Sequence, residues 1–178
     1  YLRKETLAAL DQMMAAFKKE HPAVPIVIVS TTRNFVSQKG IWERKWQASG
    51  IKAGIGRARK ILEYSSMPGN SRHHWGTDLD FNQLYNSYYR RGEGKIFYDW
   101  MVANANRFGF CQPYTAHRQG EGYQEERWHW SYRPLSAPFL KEWLALPPET
   151  FAGLKFAGSE HFLDLCRQYV SNVDQACR

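Results

Sequence analysis

The sequence predicts an α+β domain, on three observations: helical periodicities alternate with short strand-like runs, the chain has 178 residues, and 43% of them are hydrophobic. That length suits one hydrophobic core, so residues 1–178 are read as a single domain. With Gly 13 and Pro 8, the composition excludes collagen, low-complexity disorder and a coiled coil. The longest aliphatic stretch, Val24 to Val29, is broken by Pro25 and is far shorter than the roughly eighteen apolar residues of a membrane helix. No membrane span is expected.

From Leu2 to Lys19, the apolar residues Leu7, Leu10, Met13, Met14 and Phe17 recur every three or four positions, as in an amphipathic helix. His21-Pro22 stops it, and Ile26 to Val29 reads as a short buried strand leading into Ser30-Thr31-Thr32-Arg33. Phe35 to Gln47 and Ala58 to Tyr64 suit two further helices, before Met67-Pro68-Gly69-Asn70 imposes a turn. Thr77 to Phe81 alternates polar and apolar like a half-buried strand, which puts Asp78 and Asp80 on one face. Glu93 to Phe108 carries a broad apolar helical face ended by Gly109. A Gly-, Gln- and Glu-rich loop follows from Gln112 to Glu126, and Arg127 to Arg133 alternates aromatic and polar residues as a strand does. Ser136 to Leu146 and Ser159 to Val173, separated by Pro147-Pro148, read as the last helices.

Lys+Arg 24 against Asp+Glu 17 gives a net charge of +7, which favours polyanionic partners such as nucleic acid, acidic lipid or an anionic cell wall. The basic clusters Lys18-Lys19, Arg57 to Lys60 and Arg90-Arg91 are too short for a nucleic-acid-binding tail and read as solvated surface. Cys111, Cys166 and Cys177 lack CxxC spacing; Cys166 and Cys177 are expected to pair across a short loop, leaving Cys111 as a buried thiol. The chain begins at Tyr1 with no signal-peptide pattern, so any targeting segment is expected to have been removed.

Histidine and carboxylate are what a zinc site needs, and a catalytic site takes three such ligands while a fourth position stays open to water. His73, His74, Asp78, Asp80 and His129 are the candidates. HExxH is absent, so a site must be assembled from separate strands and loops. Taken alone, His129 in an aromatic strand reads as a packed core residue, Asp80 as a turn or edge carboxylate, Arg33 as a surface ion pair and Ser71 as a cap former.

Taken together, these residues form a pattern. Ser71-x-His73-x-x-Gly76-x-x-x-Asp80, followed by Glu126-x-Trp128-His129, resembles the SxHxxG(x)3D … ExWH signature of the VanY-like D-alanyl-D-alanine carboxypeptidases. Arg33-x-x-x-x-Gln38 resembles the family's YRSxxxQ segment. Trp100-Met101-x-x-Asn104-Ala105-x-x-Phe108-Gly109-Phe110 resembles its WLxxNAxxYGF helix. The resemblance runs from about Ile26 to Tyr132. It implies a small central antiparallel sheet carrying a zinc site and flanked by helices, as in the wider group that includes lysostaphin-type peptidases and hedgehog domains.

The same resemblance implies one Zn2+ per chain held by His73, Asp80 and His129, with Glu126 as catalytic base and Arg33 facing the substrate carbonyl. Ser71 and Gln38 are expected to contact the peptide or hold Arg33. Asp78 stands where the family usually has Ala; it is expected either to orient a ligand or substrate or to replace Asp80 at the metal, with Asp80 favoured. Strand parity would favour Glu125 as the base, since it shares a face with His129; Glu126 requires that the strand begin only at Arg127, after a turn or bulge. A free substrate carboxylate would be met by Arg72 or Arg118.

The implied function is a zinc carboxypeptidase that removes a terminal D-amino acid from peptidoglycan stem peptides in the periplasm or cell envelope, acting as a monomer and not on nucleic acid. An endopeptidase cutting stem peptides or cross-links, and a zinc-containing wall-binding domain without turnover, are the alternatives.

Overall fold

A computed structural model describes residues 1–118 and 120–178. The first helix, α1 (Lys4–Glu20), turns the apolar stripe of Leu10, Met13 and Phe17 inward. β1 (Ile28–Ser30) leads into α2 (Phe35–Ala48), whose first turn is capped by the Asn34 side chain accepting from the Ser37 N–H at 2.8 Å. α3 (Ile55–Leu62) packs on α2. A 3₁₀ turn, Arg72–Trp75, precedes β2 (Asp78–Phe81), and the Asn86–Arg90 turn precedes α4 (Gly92–Asn104). Then come β3 (Phe110–Cys111), β4 (His129–Tyr132), α5 (Arg133–Ala145) and α6 (Phe162–Ser171).

The four strands form one antiparallel sheet in the order β1-β2-β4-β3. One apolar cluster, with Leu79, Phe81 and Trp130 from the sheet, packs against Leu10, Phe17, Phe97 and Trp100 of α1 and α4. A second gathers Trp42, Leu62, Leu140, Trp143, Phe162 and Tyr169 from α2, α3, α5 and α6. Removing a buried aromatic side chain from either core costs about 3–5 kcal/mol. Alternation along β2 and β4 sends Leu79 and Trp130 into the first cluster and leaves Asp78, Asp80, His129 and Ser131 to share the other face.

Several expectations need correction. Ile26 to Val29 was expected to be a buried strand, but β1 is an edge strand in which Ile28 and Val29 are nearly half exposed (46% and 45%). β2 is buried throughout rather than half-buried: Leu79 and Phe81 pack in the first cluster, and on the other face Asp78 and Asp80 are enclosed by Arg72, His73, His129 and Ser131. β4 starts at His129, not Arg127. Residues 126–129 form a turn closed by the His129 N–H to the Glu126 carbonyl at 3.4 Å, and the Asn86 side chain takes the Arg127 N–H at 3.1 Å.

The disulfide joins Cys111 and Cys177, and the buried free thiol is Cys166. β3 carries Cys111 to the terminal 3₁₀ turn Gln175–Cys177, while Cys166 points into the second core from α6.

With its ends separated by 66 positions in sequence, the Cys111–Cys177 bridge constrains the unfolded chain by about 4 kcal/mol. Reductant should therefore lower the thermal midpoint in calorimetry, while Cys166 resists alkylation until the protein unfolds. An unchanged midpoint, or ready alkylation of the native protein, would contradict this assignment.

Candidate metal centre and its cleft

Three chain segments build the site. Gly76, in the left-handed region at φ 72°, ends the Arg72–Trp75 turn; a Cβ there would also lie 3.3 Å from Thr32 Oγ1. The same turn is tied to the end of β1, because the Arg33 N–H donates to the His73 carbonyl at 3.1 Å and His73 Nδ1 lies 2.8 Å from the Thr31 carbonyl. A protonated Nδ1 makes that bond and leaves the Nε2 lone pair facing Asp80 Oδ2 at 3.3 Å.

β2 and β4 bring in the other two groups. Asp80 and His129 are direct partners across the antiparallel ladder, and His129 Nδ1 lies 3.2 Å from Asp80 Oδ1. His129 Nε2 is 2.9 Å from Asp78 Oδ1, which fixes its proton there and frees Nδ1. The turn at residues 126–129 swings Glu126 to the same side, with Oε2 at 3.3 Å from His129 Nδ1. Glu125 instead pairs with Arg127 at 3.0 Å.

These contacts fit zinc. One donor atom each from His73, Asp80 and His129 lies within 4.8 Å of the others, and all three residues are buried. Ligands about 2.0–2.2 Å from a tetrahedral ion stand about 3.3–3.6 Å apart; here each imidazole approaches its own Asp80 oxygen, at 3.3 and 3.2 Å. Asp80 Oδ1 is buried without a well-directed hydrogen bond, as a metal donor would be.

The electrostatics also call for a cation. Burial alone would lower the pKa of His129, but the carboxylates of Asp78, Asp80 and Glu126, as acceptors for its ring N–H groups, outweigh burial and push the imidazole well up. Burial would raise Asp80, yet His73 and His129 hold it far below the usual carboxylate range. Glu126 goes the other way: burial raises it more than His129 lowers it.

Behind the centre, Asp78 is fully buried and accepts from Arg72 Nε at 2.9 Å, Thr77 Oγ1 at 2.6 Å and Ser131 Oγ at 2.9 Å. Its carboxylate is thus occupied by protein donors. It orients His129, and it lies outside the lining of the cleft and apart from the His73, Asp80 and His129 group. Burial opposes its ionisation, but Arg72 and His129 outweigh burial and keep its pKa low. Its contribution to stability is therefore complete above about pH 4 and fades as pH falls below that.

A cleft of about 700 Å³ opens over the centre, lined by Arg33, Gln38, Ser71, Tyr114, Glu126 and Trp128, among others. Arg33 donates to Ser30 Oγ at 2.8 Å and stands 3.8 Å from Asp80 Oδ2. Gln38 donates to the Ser66 carbonyl at 2.7 Å, and its Oε1 is buried without a partner. Arg72 is committed to Asp78 and Ser131, and it stacks on Trp75 at 4.7 Å. Arg118 bonds backbone carbonyls at Thr115, Tyr123, Gln124 and Asn172 and so braces the loop rather than the cleft.

His74, a candidate ligand by residue type, lies apart from the His73, Asp80 and His129 group. It bridges the Arg33 carbonyl at 2.7 Å and the Gly69 N–H at 3.1 Å, which steadies the backbone under Arg33.

Replacing Asp78 with Asn is expected to weaken zinc binding about 10- to 100-fold in a competition titration with a chromogenic chelator, and to lower the thermal midpoint. Unchanged affinity would contradict the orienting role.

Comparisons with known proteins agree with this architecture. Residues 1–135 match the family model described as VanY: D-alanyl-D-alanine carboxypeptidase. YodJ of Bacillus subtilis (strain 168), designated a carboxypeptidase, is 30% identical over 139 residues, or 74% of this chain and 46% of YodJ. The chain thus spans about half of that relative's length. The vancomycin resistance D,D-pentapeptidase VanY, as a variant from a VanB-type cassette in complex with Zn(II), superposes with a TM-score of 0.61 at 22% identity over 80% of this chain and 83% of that one. The LD-carboxypeptidase LdcB superposes at 0.58 and 22% identity, over 88% and 78%. The matches to solved structures show a shared fold, and the family model, spanning most of the sequence, shows that this chain belongs to the VanY D-alanyl-D-alanine carboxypeptidase family.

Proposed function

We propose that this protein is a zinc-dependent carboxypeptidase that releases the terminal D-amino acid from peptidoglycan stem peptides. The observation that carries the reading is the convergence of His73, Asp80 and His129 at the floor of an open cleft, with the Glu126 carboxylate 3.3 Å from His129. The zinc-bound VanY structure supports the choice of metal, and the LdcB structure, which reveals the molecular basis of peptidoglycan recognition in that protein, supports the substrate class. A Cys111–Cys177 disulfide supports an oxidising compartment outside the cytoplasm, where cell wall is found.

His73, Asp80 and His129 would hold the ion. When bound, zinc supplies a Lewis acid that polarises the scissile carbonyl and makes water acidic near neutral pH. Glu126 takes the proton of the attacking water on its carboxylate and hands it to the leaving amine. Burial raises its pKa, a shift in the direction that suits a group acting first as base and then as acid. The Arg33 guanidinium, fixed by Ser30 and Asp80, faces the carbonyl oxygen as negative charge gathers there, a contact worth about 3–4 kcal/mol. Gln38 Oε1, buried and unbonded, accepts an N–H of the peptide. Ser71, at the base of the cleft, offers a hydroxyl to its terminal end.

Stem peptides of three, four and five residues, incubated with zinc-loaded and chelator-treated protein and weighed by mass spectrometry, test the reading. Loss of one terminal D-residue, only in the zinc-loaded sample, is the expected result; cleavage at internal bonds or no cleavage at any length would overturn it. Glu126→Gln should retain zinc and lower kcat by about 10²- to 10⁴-fold. Undiminished turnover would remove Glu126 from its assigned role.

A further inference from the structure

The cleft holds a cation that the chemistry above does not use. α2 forms one wall, and Gln38, Ile41 and Lys45 line the cleft from one helical face, at the spacing of successive turns. Lys45 Nζ donates to Ser65 Oγ at 2.6 Å, and the neighbouring Ser66 carbonyl is the acceptor for Gln38. The ammonium is therefore pinned to the cleft wall beside the glutamine.

The other fixed cations of the cleft face protein carboxylates: Arg33 has Asp80 at 3.8 Å and Arg72 has Asp78 at 2.9 Å. Lys45 has no carboxylate within ion-pair distance among the described residues. Arg90 also lines the cleft without such a partner, but no hydrogen bond fixes it among the described residues. Partial desolvation by the cleft walls lowers the Lys45 pKa, with Glu126 raising it and Arg33 lowering it, so the ammonium sits within the field of the site. Lys45 is a solvent-exposed residue, and its ammonium, held by Ser65 and with no carboxylate in ion-pair contact among the described residues, is open to an anion from outside the chain.

We propose that Lys45 is a specificity residue that binds a carboxylate of the substrate peptide. This rests on the carboxypeptidase reading for the identity of the peptide, but not for the charge it must carry. Two sources share this chemistry: the free C-terminal carboxylate and a carboxylate within the peptide.

Binding is best measured by calorimetry on zinc-loaded Glu126→Gln protein, which does not depend on turnover. Three versions of one stem peptide serve as probes: unmodified, amidated at its C-terminus, and amidated at its internal carboxylates. Adding Lys45→Met should weaken binding of the unmodified peptide at least tenfold with zinc content unchanged, and Lys45→Arg should recover most of it. The loss should disappear for one amidated peptide, and that peptide identifies the carboxylate.

In the catalytically intact protein, Lys45→Met should raise KM with little change in kcat. Equal binding with and without Lys45, or a loss that persists for both amidated peptides, would overturn the proposal. Should carboxylate-dependent binding be found without any hydrolysis by the unaltered protein, the Lys45 assignment stands and the enzymatic reading falls.

Discussion

The site depends on one antiparallel register, β2 against β4, with Asp80 opposite His129 and Asp78 opposite Ser131. Directly opposed residues in such a ladder have Cβ atoms about 4.5–5.5 Å apart, near enough for two side chains to grip one ion. A slip of one residue would send Asp80 and His129 to different faces and put Leu79 or Trp130 among polar groups. The apolar side of the same strands resists that slip: Leu79, Phe81 and Trp130 are locked against α1 and α4. Packing on one face therefore sets the coordination chemistry on the other. His73, from outside this ladder, is brought to it by the hydrogen bonds that tie its turn to the end of β1.

Charge is arranged in layers around that register. Asp78 meets Arg72, Thr77, Ser131 and His129, so each of its oxygens is satisfied and it turns His129 with Nδ1 forward. Removing one member of a buried ion pair costs about 3–5 kcal/mol, which ties the geometry of the His73, Asp80 and His129 group to the stability of the domain. In front of this layer, Asp80 and Glu126 gather negative charge where a divalent ion would sit, and Arg33 and Lys45 place positive charge along the path of a peptide.

Much of this was legible in the sequence. Helices with apolar residues at three- and four-residue spacing appear near their expected bounds, since period alone decides which face can be buried. The histidines and carboxylates pointed to a metal through their resemblance to a family signature, although neither their spacing alone nor any single residue did. Other features were hidden for physical reasons. Cysteine spacing says nothing of which strand end approaches the C-terminus, so Cys111 was missed as the partner of Cys177. The Val27-Ile28-Val29 run reads as core, but its place at the sheet edge leaves it half exposed. Strand parity favoured Glu125 only because the turn at residues 126–129 is invisible in the alternation of side chains. Asp78 could be understood only once Arg72 was seen beside it. Lys45 carries no signal in the sequence; only Ser65 and the cleft around it single it out.

The most direct measurement is the zinc content of the purified, metal-reconstituted protein by mass spectrometric elemental analysis, compared with His73→Ala, Asp80→Asn and His129→Ala variants shown by circular dichroism to be folded. One tightly held zinc per chain, lost or greatly weakened in every variant, is the expected result. A folded parent protein that takes up no zinc, or variants that keep it undiminished, would contradict the account at its root.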